Sequence, residues 1–128
     1  MISYEAIKET LNQLNNAEND PALSIEAKIA AIDALTAEDA EGWHNGAPTG
    51  GRAAAQEQER QLWRSFPMYR RDFERVVIDP PNAAVVWHIM ASNEKHGIAM
   101  DLSGSSFFEF NGEARVQRYW LHFTQPEP

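Results

Sequence analysis

The hydrophobic period of the chain changes at Pro67, and that change bounds the fold more tightly than any other feature. Before it, apolar residues recur every three or four positions, as on one face of a helix. After it they alternate, as on the two sides of a strand. Helices first and strands afterwards is the order of an α+β domain.

In the helical half, Tyr4, Ile7, Leu11 and Leu14 form one stripe, which predicts a first helix over about Ser3 to Asn16. Asn15, Asn16, Asn19 and Asp20 end it. Asp20-Pro21 reads as an N-cap followed by proline at the first helical position, opening a second helix. Leu23, Ile25, Ile29, Ile32 and Leu35 supply its buried stripe, and Thr36 to Glu41 reads as a polar connection. Gly42 to Gly51 holds four glycines and a proline in ten residues. That composition makes a looped segment, with room for one short strand at Trp43–Asn45. A third helix covers about Arg52 to Ser65, with Leu62, Trp63 and Phe66 packing its end.

Four strands are expected in the second half: Phe73 to Ile78, Ala83 to Ser92, Gly97 to Phe110 and Arg115 to Phe123. Asp79-Pro80-Pro81-Asn82 closes the first. Asn111-Gly112 reads as a hairpin turn, because both residues accept positive φ. Pairing Ser92 with Gly97 across the preceding turn sorts the side chains by parity. One face then collects Trp87, Ile89, Ala91, Ile98, Met100, Leu102, Ser106, Phe108 and Phe110, joined by Tyr119, Leu121, Phe123 and Gln117. It is almost wholly apolar and should face the helices. The other face holds Val86, His88, Met90, Ala99, Asp101, Phe107, Glu109, Arg118, Trp120 and His122. It is too apolar to stand entirely in water, so an interface with another protein is expected there. His88 and Asp101 fall opposite each other in this register and should pair.

Composition narrows the function classes. The 128 residues make one domain's length, able to bury roughly two-thirds of its unfolded surface. Residues 1–124 are read as that domain and 125–128 as a tail. A formal net charge of −8 repels phosphate backbones, so nucleic acid is not an expected partner. Arg70, Arg71 and Arg75 are interleaved with Asp72 and Glu74, and read as a solvated, partly self-paired strand edge. No apolar run reaches the ~20 residues of a membrane span. Met1-Ile2-Ser3-Tyr4-Glu5 lacks the basic start of a signal peptide, so a cytoplasmic home is the default. Without cysteine there is no disulfide or thiolate chemistry. The four histidines show no metal-ligand spacing, and neither a metal nor another cofactor is called for. Thr49-Gly50-Gly51-Arg52 lacks the lysine and preceding strand of a phosphate loop, and reads as a turn feeding a helix.

The order of three helices, a Gly/Pro loop and a long meander resembles the nuclear transport factor 2-like superfamily, in its SnoaL-like and ketosteroid-isomerase-like branch. The matching stretches are Ala34-Leu35-Thr36-Ala37-Glu38-Asp39, the Gly/Pro loop with Arg52 opening a helix, and Phe108-Glu109-Phe110-Asn111-Gly112 before the last strand. The resemblance covers about residues 3–124, and its weight lies in order and spacing. It implies a cone-shaped half-barrel: three N-terminal helices packed in the concave face of a strongly curved, mostly antiparallel sheet. It also implies a homodimer through the outer face. Family members include isomerases, dehydratases, epoxide hydrolases, polyketide cyclases and proteins with no catalysis, so function has to come from the site. Matched without gaps from Ala34 to Asp39, the ketosteroid isomerase pattern puts His44 at the general-base aspartate. Its oxyanion tyrosine falls at or near Thr10 and its protonated aspartate at Ser106, so that constellation is absent. Trp43 and Asn45 echo the tyrosine and asparagine of limonene epoxide hydrolases, but Leu121 stands at their last-strand aspartate.

The expected site is a buried pocket for a small, largely apolar molecule. His44 is the candidate for proton transfer, since imidazole titrates near neutrality. Its bland alternative is a loop histidine bonded to backbone between two glycines. If Trp43 and Asn45 face inward as ligand contacts, alternation turns His44 outward. Tyr119 is the candidate partner and oxyanion donor, or else a core tyrosine. Ser106 either bonds a ligand or leaves cavity space. Phe66, Trp87, Met100 and Phe108 are the apolar lining, or ordinary core. Two functions fit these residues: a lyase, isomerase or cyclase using His44, and a non-catalytic ligand-binding or dimerisation module.

Overall fold

A computed structural model describes residues 2–124; the expected tail at 125–128 lies outside them. The elements are α1 (Tyr4–Asn19), α2 (Ile25–Ala34), β1 (Thr36–His44), β2 (Ala47–Pro48), α3 (Arg52–Ser65), β3 (Met68–Asp79), β4 (Asn82–Asn93), β5 (Ile98–Phe110) and β6 (Val116–Phe123). One six-stranded sheet runs in the order β2-β1-β6-β5-β4-β3. Only β1 and β6 are parallel, and the rest pair antiparallel. The sheet curves without closing, which is the α+β cone the sequence implied. None of the described helices is long and apolar enough to cross a membrane.

Ser3 caps α1 by accepting from the Ala6 amide, which satisfies one of the free donors of the first turn. The stripe Ile7, Leu11 and Leu14 then packs on the alternate residues Ala83, Val85, Trp87, Ile89 and Ala91 of β4. The second helix starts later than expected. Asp20 opens a turn instead, its carboxylate accepting from the Ala22 amide, and Ser24 caps α2 through the Ala27 amide. The third helix has the expected bounds, Arg52–Ser65.

The larger correction is β1. Thr36 to Glu41, expected as a connection, is most of a nine-residue strand. Its inward residues are small, Ala37, Ala40 and Gly42, and a bulge between Thr36 and Glu41 breaks the alternation. Neither apolar bulk nor a clean period of two was there to be read. β3 also starts earlier, at Met68, because α1 is stitched to it. Asn19 donates to the Arg71 carbonyl at 2.6 Å and accepts from the Arg71 amide at 2.7 Å.

Between β4 and β5 the register is two residues away from the expected one. Met90 faces Asp101 and His88 faces Ser103. A short helical turn, Glu94–His96, lengthens the connection. A shift of two preserves the faces, so the side chains of β4 and β5 keep their expected sides; on β6 a bulge puts Val116 inside in place of the expected Gln117, whose amide donates to Asp39. His88 still reaches Asp101, now along a diagonal. The last turn is wider than an Asn-Gly hairpin. Ala114, not Asn111 or Gly112, takes the positive φ, and the Asn111 side chain accepts from the Glu113 and Arg115 amides.

Candidate functional site

The concave face and the helices enclose a cavity of about 390 Å³. It is broad enough for a small organic ligand, since such sites run roughly 300–1,000 Å³. β4, β5 and β6 supply an apolar wall of Trp87, Ile89, Met100, Leu102, Phe108 and Leu121. Trp87 is fixed in it, because its indole N–H donates to the buried Ser106 hydroxyl at 2.8 Å. The absence of a side chain at Gly104 makes room for the same indole, which a Cβ there would meet at 2.5 Å.

One polar end lies where β1 meets β6. His44 pairs with Leu121 in the parallel ladder, and Gly42 with Tyr119. Both His44 and Tyr119 line the cavity, their ring centres 6.3 Å apart. Partial burial lowers the pKa of His44 below the ordinary histidine value, favouring the neutral ring and its free lone pair. Burial raises the pKa of Tyr119, so its hydroxyl stays a donor. Thr49 opposes that rise from close by, yet its own buried hydroxyl meets no hydrogen-bond partner in good geometry.

The other polar end lies between β3, α1 and α3, toward the opposite edge of the sheet, with β5 and β4 intervening. Arg71 and Glu18 pair at 2.9 Å, and the Tyr69 hydroxyl donates to Glu18 at 3.1 Å. Arg71 was expected in solvent with Arg70. Arg70 does pair with Asp72 outside, but Arg71 turns in and is only 9% exposed. Glu59 and Trp63, one turn apart on α3, complete this end. Burial pushes the Glu59 carboxyl up to about 8, with Glu18 and Asp33 adding repulsion and Arg71 and Arg60 opposing it. Arg52, also on the cavity wall, is held by Asp33 at 2.9 Å.

Of the residues singled out from sequence, His44, Tyr119, Trp87, Met100, Ser106 and Phe108 stand on the cavity wall. Trp43, Asn45 and Phe66 do not. Trp43 turns outward and stacks on Trp120 at 5.1 Å. This is the alternation that sends His44 inward. Asn45 takes a positive φ, and its side chain accepts from the Phe123 amide at 2.9 Å. It ties the end of β1 to β6. Phe66 caps α3 and packs on the core. Glu59, Trp63, Tyr69 and Arg71 were not singled out as site residues. The signal for the first two was a helical stripe, Arg52, Ala55, Gln56, Glu59, Leu62 and Trp63, with a carboxylate in its middle. Among the described residues, no group of three or more His, Asp or Glu could hold a metal ion.

A curved sheet wrapped on helices around an apolar, two-ended cavity defines the class as the cone-shaped nuclear transport factor 2-like fold. The profile of the SnoaL-like domain matches residues 17–123, and the chain belongs to that family. Solved structures agree on the fold. A protein from Jannaschia sp. CCS1, provisionally assigned as a SnoaL-like polyketide cyclase, superposes with a TM-score of 0.77 at 15% identity, covering 96% of this chain and 90% of the other. AclR from Streptomyces galilaeus, provisionally assigned as a hydroxylase, gives 0.80 at 12% identity, covering 95% and 91%. TerC, co-crystallized with polyporic acid, gives 0.73 at 13% identity, covering 93% and 92%. No curated protein matches the chain.

Proposed function

We propose that the cavity binds a small, neutral, largely apolar molecule, and that His44 moves a proton on it while Tyr119 donates a hydrogen bond to its oxygen. One observation carries this reading: a histidine whose neutral form is favoured stands on the cavity wall beside a half-buried phenol. For a carbonyl compound the chemistry balances simply. The bond from an adjacent carbon to hydrogen breaks, the proton goes to an imidazole nitrogen, and the electron pair moves onto the oxygen. The Tyr119 hydroxyl steadies that oxygen, and the imidazolium returns the proton to close the cycle. The apolar wall supports a ligand with little charge. So does the pairing of Arg52 with Asp33 and of Arg71 with Glu18, which occupies both arginines that line the cavity among the described residues. The SnoaL-like neighbour provisionally assigned as a polyketide cyclase is in keeping with this reading.

The test is proton exchange in D₂O with small cyclic ketones, followed by NMR. The protein should speed deuterium uptake next to the carbonyl. His44→Gln should slow that uptake by about 10²–10⁴-fold, the usual scale for losing a general base, with ketone affinity nearly unchanged. Exchange no faster than in buffer, or unaffected by His44→Gln, overturns the catalytic assignment. A second reading, a binding module without chemistry, draws support from Ser106 and Trp87, which satisfy each other rather than a ligand. Binding of ketones without exchange would select it.

A further inference from the structure

Among the described residues, three buried polar atoms at the β3 end of the cavity have no hydrogen-bond partner: Glu59 Oε2, Trp63 Nε1 and Arg71 Nε. Their residues all line the cavity. Trp63 is 5% exposed and Arg71 9%, so neither can turn its free donor to bulk water. Buried polar groups are paired in all but a few cases, and an unpaired one costs about 1–3 kcal/mol. Three of them on one cavity wall amount to a site waiting for a partner.

The surroundings say what the partner is. Trp63 and Arg71 each offer one N–H and can only donate. The neighbouring carboxylates have other partners and do not reach these three atoms. Glu18 accepts from Arg71 through its terminal nitrogen and from the Tyr69 hydroxyl. Asp33 accepts from Arg52 and Gln56. The Glu59 carboxyl faces Glu18 and Asp33 with Arg71 and Arg60, and holds its proton at neutral pH, so it too can donate. Three donors belong to the wall of one cavity whose Arg52 and Arg71 are paired with carboxylates. A carbonyl oxygen fits them: it is neutral, has two lone pairs and needs no counter-ion. A carboxylate or phosphate would find its cation already spent on Glu18.

We propose that Glu59, Trp63 and Arg71 form a carbonyl-binding subsite at the end of the cavity away from His44, so that the natural ligand carries an oxygen acceptor at each end of an apolar body. Met100, Phe108 and Trp87 lie along that body, on the strands between the two ends. The subsite rests on the reading that the cavity takes a small apolar ligand. It adds the class of that ligand: a neutral diketone, quinone or hydroxyketone rather than a hydrocarbon or a single-ended ketone. Glu59 and Trp63 would set specificity and orientation, while the proton transfer stays with His44.

Decalin, its monoketone and its diketone with carbonyls on opposite rings make a probe series with one body and increasing polar ends. Titrations followed by tryptophan fluorescence and by NMR of the indole N–H groups should show the diketone binding most tightly. The Trp63 N–H resonance, identified by its loss in Trp63→Phe, should move downfield with the diketone and hardly move with decalin. Glu59→Leu and Trp63→Phe should each weaken diketone binding by roughly threefold to tenfold more than they change decalin binding, the scale of one hydrogen bond. If decalin binds and the diketone gains nothing over the monoketone, or the Trp63 N–H stays in place, the subsite is overturned and the cavity reading survives. If no member of the series binds, both fall together. Because the N–H measurement uses the unmodified chain, a variant that fails to fold cannot decide the matter.

Discussion

At the scale of single residues, Glu59 shows how a site can hide in a helical pattern. Its neighbours Ala55, Leu62 and Trp63 mark a buried stripe, yet a glutamate in a helix rich in Gln, Glu and Arg reads as a solvent residue. Only the cavity, which depends on where β3 and α1 lie, turns it into a buried acid. For His44 the sequence showed only that it opposes Trp43 by alternation; the stacking of Trp43 on Trp120 outside is what sends His44 in. Glu59 also makes a prediction about pH. Burial pushes its carboxyl up to about 8 in the fold, against an ordinary glutamate value of about 4.5 in the open chain. Between those values the folded state holds a proton that the unfolded state has lost. Stability from this group is therefore full below about pH 4.5 and drains away as pH rises to about 8, by up to about 1.4 kcal/mol per unit. The lowered pKa of His44 acts the other way, removing stability as pH falls below the ordinary histidine range. Urea denaturation of the native chain and Glu59→Gln at a series of pH values separates the two. The difference between them should shift in favour of the variant as pH rises from about 5 to about 8. A difference that stays flat would show that Glu59 ionises normally.

At the scale of elements, the legible parts were those whose pattern tolerates error. β4 and β5 alternate strictly, and a register displaced by two leaves each residue on its expected face. β1 had no such tolerance. Its acidic outward residues, small inward ones and bulge erase both bulk and period. Yet β1 is the strand that seats the proton-transfer end. Gly42 sits directly opposite Tyr119, and a Cβ at that position would overlap the phenol ring. The glycine of a loop-like sequence is thus a packing requirement, set by the neighbouring strand. Gly42→Ala should force the ring aside and cost about 1–3 kcal/mol, as overfilled sites do. The same change in a Tyr119→Ala background should cost little, because the obstructing ring is gone. A double-mutant cycle by urea denaturation measures this coupling. Additive costs would mean that Tyr119 does not occupy the space over Gly42, and would remove the basis for placing its hydroxyl beside His44.

At the scale of the whole molecule, the convex side of the sheet is the part least suited to water. Phe107 is 43% exposed, Met90 58% and Val86 42%. The Trp120 ring meets Phe107 at 5.7 Å and Trp43 at 5.1 Å, so the patch reaches across β5, β6 and β1. Trp43 was expected in the pocket, and its outward turn enlarges this surface. We propose that two copies of the chain pair through this face. The formal charge of −8 on each copy opposes the pairing at long range. The contact must then draw its free energy from apolar burial, and added salt should tighten it by screening the repulsion. Sedimentation at micromolar protein should give a dimer that strengthens with sodium chloride. Trp120→Glu should yield monomers with the cavity intact, since a buried unpaired charge costs about 3–5 kcal/mol at such a contact. Ketone binding by that monomer should match the native chain, because Trp120 points away from the cavity that Tyr119 and Leu121 line. A native chain that stays monomeric at every salt concentration would overturn the pairing and leave the exposed aromatic face to another partner.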